Sequence, residues 1–230
     1  MRRGPAAAPQ TAGRLMGRAK NELKLMGSSL YIVSFVLVVF LVFLAVFAGE
    51  LLNVSSLGFE VIFPFYTAVA AGEWGKTRSD DNYDVIAAQS RSVFRWLTLR
   101  YAVVVSVVSI FAVMGMVIIS AIRGEMAFTE LLLSYFPTAF VLSSISMIFG
   151  ICSEKEHVGA MAGGVVWLAA LMAQGLLRIS MIRYIYPFIY FAGLRGEIWL
   201  INKSVLCVAG LAIWCAVYGI LHSSFSGDGR

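Results

Sequence analysis

Few residues in this chain could do chemistry: Gly75-Lys76-Thr77, the histidines His157 and His222, the cysteines Cys152, Cys207 and Cys215, and Glu60 inside a long apolar run. Gly75-Lys76-Thr77 matches the tail of a phosphate-binding P-loop, which needs a glycine five positions before its final glycine so that backbone amides can wrap the phosphates. Here that position is Ala70, and an apolar run stands where a strand should precede the loop. The chain is therefore expected to hydrolyse no nucleotide by itself. His157 and His222 lie at the ends of apolar runs, there is no His-Glu-x-x-His, and no paired acids are spaced to hold a metal or a water. The expectation is a protein that is not an enzyme, with no catalytic residue, no metal site and no cofactor of its own. Cys207 and Cys215 would lie about 12 Å apart along one helix, too far for a bridge within it. All three cysteines read as small apolar packing residues.

What must position these residues is membrane-spanning sequence. The chain is 60% hydrophobic, against roughly 45–50% for soluble domains. Charge-free runs of about 20 residues, enough to cross a bilayer, occur at Leu25 to Gly49, Tyr101 to Ile122, Leu131 to Ser153, His157 to Leu177 and Ser204 to Ser226. A sixth, Leu51 to Gly72, is broken only by Glu60. The fold class expected is an all-α membrane protein with six spans, near 29–48, 52–72, 101–122, 131–151, 158–177 and 204–221.

Cations near span ends prefer the cytoplasmic side. With both termini inside, thirteen Lys and Arg residues fall on cytoplasmic segments, six of them in the N-terminal stretch from Arg2 to Lys24. Five (Arg123, Arg178, Arg183, Arg195 and Lys203) fall outside. That orientation is the expected one, and the net charge of +5 then serves inner-leaflet lipids rather than nucleic acid. No secretory signal is read at the N-terminus, because a long polar stretch precedes an apolar run too long for an h-region.

Residues 1–12 read as a disordered tail. Leu15, Ala19, Leu23 and Met26 then recur at helical spacing among Arg14, Arg18, Lys20 and Lys24, which predicts an interfacial amphipathic helix over 13–28. A positive-inside flank that happens to be helical is the simpler alternative. The transmembrane domain covers 29–222, and 223–230 form a cytoplasmic tail.

Between the second and third spans lies a polar island, residues 73–100, with five of the eighteen Lys and Arg residues. Tyr83, Ile86, Ala87, Ser90, Val93, Phe94 and Leu97 fall at helical steps within it, and Ser79, Asp80 and Asp81 suit a helix N-terminus. The spacing predicts a short amphipathic helix along the membrane, then a turn into the third span. A solvated loop would usually be far shorter, about 2–8 residues.

A second long connection, 178–203, has an uncharged core from Tyr184 to Leu194 that is too short to cross. Pro187, within Tyr186-Pro187-Phe188, breaks regular helix there. A re-entrant or interfacial hairpin on the outer face is expected. Gly159, Gly163 and Gly164 with Ala160 form a small face on the fifth span, suited to close helix packing or to an oligomer interface.

Glu60 would lie about 12 Å along a span that begins near Leu52, and acids at that depth default to function. Pro64, one turn later, would open the helix locally. Two readings stand: a place in a translocation path, or a later span start that leaves Glu60 at the outer headgroups.

This order of elements resembles the ABC-2 type transporter permeases, the membrane halves of many bacterial ABC exporters. The likeness runs over residues 14 to 222. It rests on the basic helix Arg14 to Met26, the six spans, Glu73 closing the second span, Lys76-Thr77 after it, and Ser90-Arg91 before the third. Thr77 to Ser90 is longer than the family's usual spacing, and Gln89 stands where a proline often precedes the Ser-Arg. The resemblance implies that the segment from Glu73 on is a coupling helix for an ABC ATPase subunit, which holds the ATP and Mg. Glu73, Tyr83, Asp84, Ile86, Ala87, Arg91 and Phe94 are its expected coupling residues, and Tyr186, Pro187 and Phe188 belong to an external re-entrant segment. It also implies a second permease chain, identical or related, a bacterial cell membrane, and an exported cargo. The apolar, Met- and Phe-rich interior favours amphipathic or lipid-like cargo. The alternative is a membrane scaffold or sensor subunit that binds a cytoplasmic regulator through 73–100.

Overall fold

Apolar residues run around every face of Ser29–Phe47 (α1), as in a helix surrounded by lipid or protein on all sides. The computed structural model describes residue 17 and residues 28–48, 53–74, 93–123, 127–153 and 155–226. Gly17 is helical. The rest of the expected interfacial helix up to residue 27, the tail 1–12, the island from 75 to 92 and residues 227–230 lie outside the described residues.

After α1 comes α2, a continuous helix made of Val54–Ser56, a π-helical turn Leu57–Ile62 and Phe63–Trp74. Then follow α3 (Val93–Arg123), α4 (Phe128–Cys152) and α5 (Val158–Met172), which tightens into a 3-10 stretch Ala173–Arg178. A one-turn helix α6 (Ser180–Arg183) precedes α7 (Glu197–Ser226). Among the described residues there is no strand, and six helices, α1 to α5 and α7, are long and apolar enough to cross a membrane.

Two of these helices are central. In the most apolar stretch of α2, 72% of residues are buried, and in α4 67%, against 6% for α5. Helix α4 packs against α2, α5 and α7, while α1 lies mainly on α3. Leu30, Ser34, Val38, Leu41 and Ala45 form the single buried stripe of α1, and Phe35, Phe40 and Phe43 on its other faces are exposed in the lone chain. The close approach of α2, α4 and α5 needs small residues. A Cβ on Gly72 would meet the Gly159 carbonyl carbon at 2.5 Å, and one on Gly159 would meet the Ser146 carbonyl oxygen at 2.7 Å. The small face of the fifth span is thus used within the chain.

The π-helical turn has a local cause. Pro64 has no N–H to give the carbonyl of Glu60, and its ring crowds that carbonyl. The ladder widens instead, so that the Phe63 N–H reaches Gly58 O. Asn53 starts the helix, its side chain accepting from the Ser56 N–H at 3.1 Å.

Two boundaries differ from the sequence reading. Helix α3 begins at Val93 rather than near 101, so Val93, Phe94 and Leu97 belong to a helix that runs straight into the span without a turn. Helix α7 begins at Glu197 rather than near 204, which places Lys203 inside the helix and not in the connection. Charged and amide groups were expected to end a span. Here Lys203 stays inside because buried partners satisfy its ammonium, and the Asn202 amide nitrogen donates to two backbone carbonyls.

Candidate functional site

Glu60 sits in the π-helical turn of α2 and is fully buried, as is Lys203 of α7 at 2% exposure. Lys203 Nζ lies 2.5 Å from Glu60 Oε1. The ammonium also donates to Thr138 Oγ1 of α4 at 2.9 Å and to the Pro187 carbonyl at 3.1 Å, with the Ser134 carbonyl at 3.4 Å. Glu60 accepts two further bonds, from the Tyr190 N–H to Oε1 at 3.2 Å and from the Phe191 N–H to Oε2 at 2.5 Å. Removing two charges from water costs several kcal/mol each, and only close pairing with further hydrogen bonds repays it. Both conditions are met here.

The connection between α5 and α7 is shaped around this pair. It is helical only over Ser180–Arg183 and then runs as turns from Pro187 to Gly193. Tyr186, Phe188, Ile189 and Tyr190 are buried. Asn202 Nδ2 donates to the carbonyls of Arg183 at 3.0 Å and Tyr186 at 2.9 Å, and Thr138 Oγ1 donates to the Pro187 carbonyl at 3.1 Å. The Tyr186 hydroxyl is pushed up to about 12 by burial and then by the negative charge of Glu60. It stays protonated at physiological pH. Burial also raises the Tyr190 hydroxyl, opposed by Arg195, whose guanidinium lies 4.8 Å from the centre of the Tyr190 ring.

Toward the middle of α4 the polar groups are uncharged. The Tyr135 hydroxyl lies 3.1 Å from both Thr67 Oγ1 of α2 and Ser109 Oγ of α3, and the Tyr101 hydroxyl lies 2.8 Å from Ser143 Oγ. These bonds tie α2, α3 and α4 together through their cores. Trp167 of α5 donates to the Val61 carbonyl at 3.0 Å, on the same π-helical turn that carries Glu60.

At the opposite end of α2, Glu73 Oε2 lies 2.7 Å from His157 Nδ1 at the start of α5. His157 adopts a left-handed backbone, φ 64°, uncommon for a residue with a Cβ. The pair links the end of α2, where the island begins, to the α4–α5 turn. Phe94, the other expected coupling residue among those described, packs edge-on to Trp214 and Tyr218 of α7 at 6.0 and 5.1 Å between ring centres. Tyr83, Asp84, Ile86, Ala87 and Arg91 lie outside the described residues.

The structure therefore sets Glu60 against the turns that carry Tyr186, Pro187 and Phe188, residues that stand as two separate sets in the sequence, while Pro64 lies one turn further along the helix of Glu60. It adds Lys203, Thr138, Asn202 and the amides of Tyr190 and Phe191. Lys203 carried one usable signal: a lone acid within a span calls for a countercharge inside another. Among the described residues no group of three or more His, Cys, Asp or Glu is placed to hold a metal ion. All three cysteines are free, Cys152 and Cys215 on the outside of the bundle and Cys207 half-buried. Compared with known proteins, the chain matches no family model, no curated protein and no solved structure.

Proposed function

We propose that this chain is the permease half of an ABC-2 type exporter, a membrane subunit that pairs with a second permease chain around a central path and is driven by a separate ATPase subunit. The observation that carries this reading is the position of α2. It is the most buried of the six long helices, the island follows it directly, and its other half holds the carboxylate that grips the 186–191 turns. A push on the island would reach the far end of the bundle through one helix. In this reading both termini and the island face the cytoplasm of a bacterial cell, and 178–196 forms the outer re-entrant segment. Tyr83, Ile86 and Ala87 fill a groove of the ATPase, while Asp84 and Arg91 meet charges at its rim. ATP and Mg belong to that partner.

Glu60 is enclosed in this conformation, so it would act on the path as part of a gate with Pro64 and the π-helical turn, rather than as an open lining. Cargo of amphipathic or lipid-like character, such as a peptide antibiotic, a drug or a lipid-linked molecule, suits the chain's apolar, Met- and Phe-rich interior. The scaffold or sensor alternative uses the same island to bind a regulator without transport. Purification of the tagged chain from its own cells in mild detergent separates the two. The exporter reading expects a nucleotide-binding protein in equal amount, and a partner without a nucleotide site would favour the sensor.

A further inference from the structure

Residues Pro187 to Gly193 run as turns, so their peptide groups need partners beyond a regular helical ladder. Some are local: the N–H groups of Ala192, Gly193 and Leu194 bond to Phe188, Tyr190 and Ile189 carbonyls. Three others bond to one buried ion pair, although the Pro187 carbonyl also accepts from the Thr138 hydroxyl. The Pro187 carbonyl accepts from the Lys203 ammonium, and the Tyr190 and Phe191 amides donate to the two oxygens of Glu60. Cation and anion thus each hold a backbone group of matching polarity on the same short segment, from two different helices.

The two ends of the segment are held differently. On the α6 side, Asn202 fixes the carbonyls of Arg183 and Tyr186. On the α7 side, Gly193 and Gly196 have φ of +86° and +81°, with open space around both. Glycine pivots there without steric cost. Between these ends the grip on Tyr190 and Phe191 comes from α2, at the turn where its ladder is already irregular. A small rotation of α2 would carry both carboxylate oxygens away from both amides at once.

We propose that Tyr186 to Phe191 form a lid latched by the Glu60–Lys203 pair, closed in the conformation described here and released when α2 turns. Phe188 and Ile189, both fully buried, are the apolar plug that the lid seats. The latch stands whether or not an ATPase is what turns α2, so its test uses the chain alone.

Hydrogen exchange of the full chain in lipid nanodiscs reads it. In the wild type, the Tyr190 and Phe191 amides should exchange roughly a hundredfold more slowly than in an unstructured peptide. In Glu60→Gln/Lys203→Met, which removes both charges together, exchange at 190 and 191 should rise roughly tenfold or more while α1 and α4 keep their rates. Should that variant not fold, Glu60→Asp carries the same expectation, since it keeps the charge and draws the carboxylate back by one methylene. Unchanged exchange at 190 and 191 in the variants overturns the latch. So does a uniform rise across all six helices, which would make the pair a brace for the whole bundle, and so does wild-type exchange at the unstructured rate.

Discussion

Lys203→Met should destabilise this protein by about 3–5 kcal/mol, because it leaves the buried Glu60 carboxylate without its countercharge. Set against a total stability of roughly 5–15 kcal/mol, that loss should appear as poor yield and a much lower thermal midpoint in detergent. Adding Glu60→Gln to Lys203→Met should recover most of it. The neutral pair no longer holds a charge out of water, so the largest cost of the single variant is gone even though the 190–191 amides lose their carboxylate. The thermal midpoint of the two variants, measured side by side, checks this. A single variant as stable as the wild type would mean that Glu60 finds water or another cation, contrary to the enclosure described.

The Glu60 site was half legible in the sequence. An acid inside an apolar run marks itself, and Pro64 after it announced a disturbed helix that the structure gives as a π-helical turn. The partner was not legible, since Lys203 is 143 residues away and stands at the edge of an apolar run, where a cation ordinarily signals the end of a span. Only the packing of α7 against α4 brings it to Glu60. The same reasoning explains the other boundary. Arg95 and Arg100 belong to the polar island by composition, yet the first turns of α3 carry them, with the Arg100 guanidinium lying 4.7 Å from the centre of the Trp96 ring. The six long helices were legible because length and apolarity alone set them. The turns of 186–191 were legible only as a break at Pro187, because what shapes them is a set of contacts with α2, α4 and α7.

On the proposed exporter reading, loss of the complex with the ATPase is the second large effect expected. Burying one large side chain contributes about 1.5–3 kcal/mol, and each 1.4 kcal/mol is about tenfold in affinity. Tyr83→Ala should therefore weaken ATPase binding by roughly ten- to a hundredfold. Ile86→Asp should do at least as much, since it places a charge in the groove, and Arg91→Glu should impair binding by reversing a charge at its rim. These positions precede α3, so the six long helices and the Glu60–Lys203 pair should keep their stability. Titration of each detergent-purified variant with the nucleotide-binding protein checks the order, and unchanged affinity in all three would leave the island as a solvated loop.

The central claim is that ATP hydrolysis in a partner is coupled to this chain through the island and α2. It is tested most directly by the rate of ATP hydrolysis of the nucleotide-binding subunit reconstituted in lipid vesicles with and without this protein. The wild type should change that rate by roughly tenfold, about 1.4 kcal/mol in barrier height, and Ile86→Asp should leave it at the value of the subunit alone. A rate that is the same with wild type, with Ile86→Asp and with empty vesicles would contradict the account.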